Sequence, residues 1–259
     1  MFKKFLPLFF LLFSDIVFSQ TETITQKEIN QKTQTWISLN SINKFSDRWG
    51  IVADVHIRWD EFLVDNNFYF LRGGVTYIPN KLVSLTAGYA HMWLAPSNPD
   101  WTTYSDENRI YQQVNLNTVA GKVGIVQRIR NEQRWQEKIV NDEETGEYRF
   151  TNRIRYLFSL NIPIFKKSTM PALVVSDEIL LQIGEEVIYN TFDQNRFFVG
   201  IKQKIDKNWS FDFGYMNVYQ QKYSGYQYDM NHTLRLFFYL STVIKKNELP
   251  ENKNDSGDE

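Results

Sequence analysis

The 259-residue chain has no cysteine, which rules out a disulfide framework and a cysteine-borne lipid anchor. Histidine is nearly absent: His56, His91 and His232 are the three, so general bases for hydrolytic chemistry are few. After the first eighteen residues, no stretch approaches the roughly 18 uninterrupted apolar residues of a membrane-crossing helix. Charge of one sign is lacking too. The formal net charge is −1, which suggests no nucleic-acid partner. No phosphate-binding glycine loop, zinc-ligand spacing or calcium loop occurs, so no cofactor and no metal is expected. The run Asp142-Glu143-Glu144 reads as a solvated acidic loop. What is abundant is aromatic: 16% of the residues, enough with the β-branched residues to exclude disorder over most of the chain. The negative mean hydropathy does not exclude a membrane barrel, in which only alternate residues meet lipid.

The chain starts with a basic Lys3-Lys4, an apolar run and a small-residue end near Ser19. That is the form of a secretory signal peptide over 1–19. Residues 20–34 are polar and read as a leader or a weak strand. Residues 245–259 are charged and read as a disordered tail.

Between them, 35–244 is a succession of alternating runs separated by turn residues, the pattern of an all-β domain. The stretch 124–162 shows it best. One arm sets Arg128, Arg130, Glu132 and Arg134 against Ile125, Ile129 and Trp135. The other sets Arg149, Arg153 and Arg155 against Phe150, Ile154, Tyr156 and Phe158. Successive strand residues point to opposite faces, so one face is a ladder of charge and the other apolar. Residues 48–59 repeat the theme, with an apolar face that begins at Trp49 and ends at Trp59. At a tilt near 45° these two rings lie roughly 23 Å apart along a barrel axis. A membrane barrel has an apolar band about 25 Å tall with aromatic girdles. The predicted fold is therefore an antiparallel up-and-down transmembrane β-barrel. Eleven runs can be counted. Bacterial barrels usually have even numbers, so about twelve strands are expected, the twelfth drawn from 20–34, with ten as the alternative. Short turns are expected at one end of the barrel and longer loops at the other. Asp177, which breaks the alternation, is expected to mark a bulge or a special role.

Trp36, Gly88-Tyr89, Glu107-Asn108-Arg109, the run Arg128 to Arg134, and Arg153-Ile154-Arg155-Tyr156 form an ordered series. It continues with Asp177-Glu178, Asp193-Gln194-Asn195-Arg196, Gly214-Tyr215-Met216-Asn217 and Asn231-His232. In order and spacing this series resembles the domain-of-unknown-function 2490 family of bacterial outer-membrane proteins. The resemblance implies an outer-membrane barrel in a Gram-negative bacterium and supplies no activity.

By alternation the luminal face carries more arginine than acid. Arg109, Arg128, Arg130, Glu132, Arg134, Arg153, Arg155, Glu178 and Arg196 are the expected luminal network. Arginine suits bidentate pairing with carboxylates in a narrow lumen, so the network is expected to be mainly structural. Its cationic excess would attract small anions or lipid headgroups, bound or in passage. The expected partners are membrane lipid, such anions, and the barrel-assembly machinery during biogenesis. One alternative is an outer-membrane lipid-modifying hydrolase, for which His56 beside Asp54 is the weak catalytic candidate. Another is a soluble secreted β-sandwich that binds a ligand.

Overall fold

The computed structural model describes residues 26–244, apart from 97, 99, 168 and 188. The signal peptide expected over 1–19, the tail expected over 245–259 and the first part of the expected leader lie outside the described residues. Among the described residues there is no helix. Eleven strands follow one another: β1 (Glu28–Lys44), β2 (Trp49–Asp60), β3 (Asp65–Tyr77), β4 (Val83–Leu94), β5 (Ser105–Ala120) and β6 (Val123–Val140). They continue with β7 (Glu143–Pro163), β8 (Ala172–Ile183), β9 (Phe192–Lys204), β10 (Trp209–Gln221) and β11 (Gln227–Val243).

Each strand pairs with its sequence neighbours, and β1 closes on β11 to complete a barrel. In an up-and-down barrel successive strands alternate in direction, so an odd number brings the first and last together in parallel. That is the arrangement here, with Glu28 opposite Gln227 and Lys44 opposite Val243. The expected twelfth strand is absent among the described residues for a physical reason. Residues 28–34 extend β1 itself and hydrogen-bond along β11. The barrel is thus all-β with one parallel pair, not wholly antiparallel.

At the end where β1 begins, here the upper end, the connections are 61–64, 95–104, 141–142, 184–191 and 222–226. At the lower end they are 45–48, 78–82, 121–122, 164–171 and 205–208. The expected contrast between long and short connections is weak. The segment 164–171 matches 184–191 in length, and the upper turn 141–142 is as tight as 121–122. The upper end gains height from long strands instead: β6 and β7 rise as one hairpin, turned by Asn141 (φ 52°) and Asp142 (φ 64°). Two residues with positive φ are what a tight hairpin following the sheet's twist requires.

Alternation sorts the two faces as expected. Trp49, Leu71, Leu85, Tyr89, Ile110 and Ile129 point outward and are exposed, whereas Asp54, Thr76, Glu107, Arg130 and Glu178 point inward and are buried. Asp177 does not make a bulge. It stands on the outer face, where Asn195 donates to its carboxylate at 2.8 Å, and the register shift between β8 and β9 falls at Leu180/Leu181. Polar side chains on the outer face tend to bond one another. Gln112 bonds Gln133 at 3.2 Å, and Tyr156 donates to Gln127 at 2.9 Å.

The interior is not uniformly polar. One cluster joins Trp36, Val174, Phe198, Met216, Val218 and Phe237. A second joins Phe68, Phe70, Ala90, Met92 and Leu94. Strands β1, β3, β4 and β8–β11 therefore contribute an apolar stretch of inner wall, interrupted by polar groups such as Arg72, Asp212 and Arg235, while β5–β9 present the charged one.

Candidate functional site in the barrel lumen

The charged wall is built from alternation on β5, β6 and β7, which turns Glu107 and Arg109, Arg128 to Arg134 at every second position, and Arg153 and Arg155 inward. Glu132 is its centre. Its Oε2 accepts from Arg153 Nε at 2.8 Å and Nη2 at 2.6 Å. Its Oε1 accepts from Arg155 Nη1 at 2.9 Å and Arg130 Nη1 at 3.4 Å, and Arg109 lies 3.8 Å away. Glu178 on β8 is the second node. It accepts from Arg155 Nε at 3.0 Å and Nη2 at 2.9 Å, and from Arg128 at 2.6 Å. Arg196 reaches it at 3.5 Å. Glu107 is the third, holding Arg134 through two bonds at 2.7 and 3.0 Å and also bonded to Arg109.

The structure thus brings together all nine residues of the expected network. Each carboxylate serves two or more guanidinium groups, so cations outnumber anions on this wall. Buried ion pairs return their desolvation cost only when the geometry is good and the remaining donors are satisfied. Neutral acceptors meet part of that demand. Gln113 accepts from Arg130 Nε at 2.7 Å, and Gln194 accepts from Arg196 at 2.9 and 2.6 Å.

One member of the network was not foreseen. Asp193 accepts from Arg153 Nη1 at 3.1 Å and from Gln182 at 3.1 Å. It sits at the start of β9, beside the register shift, where parity counted from the middle of the strand no longer holds. The apolar wall was not foreseen either, although Phe68 and Phe70 share the parity of Arg72 and so declared their face.

His56 and Asp54 both point inward but are not hydrogen-bonded to each other. Asp54 is engaged by Arg72. His56 packs edge-on against Phe70 and Phe237, with ring centroids at 5.0 and 5.6 Å. Neither ring nitrogen has a hydrogen-bond partner among the described residues. A base needs a nucleophile within hydrogen-bond reach, and the ring is surrounded by aromatic edges instead. Among the described residues no group of three or more His, Cys, Asp or Glu is placed to hold a metal ion.

Arg58 is the exception to the pairing. Its guanidinium carbon lies 3.3 Å from the ring centroid of Trp36 and 4.2 Å from that of Phe68. The register explains the sandwich, since Trp36, Arg58 and Phe68 are direct partners across β1, β2 and β3. No acceptor among the described residues engages it, and its Nε is buried without a partner. A desolvated cation–π contact is worth about 2 kcal/mol or more, while burying an unpaired ion costs several kcal/mol. Stacking on two rings offsets much of that cost but leaves the in-plane N–H donors without an acceptor among the described residues.

Between the two walls lies a cavity of about 880 Å³. Its lining includes Arg58, Trp36, Phe68 and Met92 together with Arg109, Arg153, Glu178 and Arg196. Residues 222–226 reach over its upper part. Tyr223 donates to Gln136 at 3.0 Å and stacks on the Arg149 guanidinium at 3.6 Å.

The same end is tied down by Asp142 at the tip of the β6–β7 hairpin. Its Oδ1 accepts from the backbone N–H groups of Thr103 at 2.7 Å and Thr102 at 2.8 Å. Those bonds, Thr103's first, hold the Asp142 carboxyl below the usual aspartate range. A depressed carboxylate pKa stabilises above the unfolded value and loses that stabilisation as pH falls through the folded one. The contact should therefore hold across neutral pH and release only below the ordinary carboxylate range. Hydrogen exchange at residues 100–104 checks this. Asp142→Asn should raise exchange there at pH 7, with the barrel strands unchanged.

The profile of a family described as "Protein of unknown function (DUF2490)" matches residues 33–229, from β1 to the start of β11. The chain belongs to the DUF2490 family. No curated protein and no solved structure matches it. The match takes in all three carboxylate nodes and Arg58, so this DUF2490 barrel carries its luminal network inside the family's own span. The family description assigns no activity, and the lumen remains the place from which one must be argued.

Proposed function

We propose that the chain is an integral outer-membrane β-barrel of a Gram-negative bacterium, with a lumen that is mainly structural and that holds or passes small anions. The observation that carries this reading is the outer surface of a closed barrel. Large apolar side chains cover it: Ile129 is 55% exposed, Tyr89 51%, Leu71 50% and Trp49 45%. Soluble monomers rarely expose apolar patches beyond a few hundred Å². Lipid would cover this face, and closure of the sheet leaves no unpaired edge to meet hydrocarbon. Trp49 and Tyr77 pair near the lower end, with ring centroids at 4.8 Å, and Trp93 and Trp135 stand toward the upper. These are girdle positions in such a barrel.

The anion part rests on the lumen, where Glu107, Glu132 and Glu178 are each shared among two or more arginines and Arg58 has no carboxylate among the described residues. Salt-washed membranes that retain the protein until detergent is added, and gel migration that changes on heating, are the expected results. Recovery as a soluble periplasmic protein without detergent would refute the membrane reading. A substitution adds a quantitative check: Ile129→Arg should cost about 2–4 kcal/mol of barrel stability in bilayers if that site lies near the membrane midplane, measured by urea titration of the folded band. For the lumen, reversal potentials in planar bilayers should favour anions. Cation preference would sink that part of the proposal.

A further inference from the structure

We infer that Arg58 is the head-group anchor of a binding site for an amphipathic monoanion, a carboxylate carrying an aliphatic chain, which lies against the apolar wall of the lumen. This deepens the luminal-anion reading and rests on it. Three observations converge.

The first is the state of Arg58. A guanidinium stacked on both faces keeps its N–H donors in the plane of the group. Trp36 and Phe68 occupy the faces, and the in-plane edge borders the cavity without an acceptor among the described residues. The second is its charge environment. The charged side chains acting most strongly on it are Arg196, Arg155, Arg109 and Arg153, all cations. Every other arginine of the network has a carboxylate in reach; Arg58 alone lacks one among them. An anionic oxygen brought in by a ligand would supply the missing bond, in the charge-assisted geometry that arginine favours with a carboxylate.

The third is what surrounds that position. Phe68, Met92 and Leu94 lie to one side of Arg58 and Trp36 with Phe198 to the other, all lining the same cavity. A hydrated inorganic anion would bury none of this apolar surface to advantage. An aliphatic chain would, because burial of apolar area is the favourable term. The cavity of about 880 Å³ falls within the roughly 300–1,000 Å³ of small-molecule sites, and it sets an apolar stretch beside its charged groups. A single unpaired arginine points to a single negative charge.

The test uses the refolded barrel in phosphatidylcholine nanodiscs, with empty nanodiscs as the blank, titrated calorimetrically with three probes. Decanoate carries both features, decanol lacks the charge, and inorganic phosphate lacks the chain. Decanoate should bind saturably at one site, roughly tenfold or more tighter than either of the others. Arg58→Gln should weaken decanoate to the level of decanol, and Arg58→Lys should fall between. Phosphate binding as tightly as decanoate, or decanol doing so, would overturn the inference on the wild-type protein alone, whether or not a variant refolds. Unchanged decanoate affinity in R58Q would also overturn it. Phosphate binding without decanoate binding would leave the luminal-anion reading standing and remove this one. Binding of neither would count against both.

Discussion

Glutamine in place of Glu132 is expected to destabilise the barrel by about 3–5 kcal/mol, the cost of breaking a buried ion pair by removing one partner. The size follows from what Glu132 serves. Arg153, Arg155 and Arg130 donate to its two oxygens, and Arg109 stands near them. The amide keeps one carbonyl acceptor but turns the other position into a donor facing guanidinium N–H groups. Several cations are left with no nearby charge to oppose them. Urea midpoints of the folded band in detergent or bilayers measure the loss. A second variant separates lost attraction from new repulsion. In E132Q/R130M an arginine whose one carboxylate partner among the described residues is Glu132 is gone as well, so the double variant should recover part of the stability. If E132Q alone left the midpoint unchanged, the ladder would not be what holds this wall together.

That the arginine ladder exists was legible from alternation, because a strand's side-chain period is strict and one misplaced residue would have put charge on the outer face. Arg128 to Arg134 and Arg153 to Arg155 stand where parity puts them. Partnerships were less legible. Arg128 reaches Glu178 and Arg153 reaches Asp193, each across an intervening strand, and sequence spacing gives no distance between strands two apart. The eleven runs counted in the sequence are the eleven strands of the barrel, and only the assumption of even closure moves the expectation to about twelve. Residues 28–34 are polar because they rise beyond the end of β2, which stops at Asp60 opposite Gln34, so their composition did not announce that they extend β1. The apolar wall was visible in the same parity that exposed the arginines. Phe68, Phe70 and Met92 were hidden only by the expectation that a lumen is polar. The apolar clusters around Trp36, Phe68 and Phe198 change the chemistry the lumen can perform, from repelling cations to seating an amphiphile.

The curvature that closes the sheet depends on glycine pairs, and one of them supplies the other large effect. Gly74 and Gly88 face each other across β3 and β4, and Gly200 and Gly214 across β9 and β10. Beside each pair an aromatic ring fills the space that side chains would have taken: Tyr111 at the first, Phe198 at the second. Glycine kinks backed by a neighbouring aromatic ring are a known means of bending a sheet toward closure. A Cβ on Gly88 would fall against the Gly73 carbonyl oxygen and 2.9 Å from Tyr111 Cε1; one on Gly74 would stand 2.6 Å from the Ala87 carbonyl oxygen. Backbone on the opposing strand cannot yield as a flexible side chain could. Gly88→Ala is therefore expected to prevent the closed barrel from forming, read as loss of the heat-modifiable band after refolding. Gly73, the next residue to Gly74, is the control. It points outward, and the nearest atom to a Cβ there is the Val52 carbonyl oxygen at 4.0 Å. Gly73→Ala should be neutral, or stabilising by about 0.4–1 kcal/mol through the less flexible unfolded chain. Similar effects at the two positions would mean that close backbone approach at Gly74–Gly88 is not what shapes the barrel. A severe loss at Gly88 beside a neutral Gly73 would tie closure, and with it the size of the cavity in front of Arg58, to that single cross-strand pair.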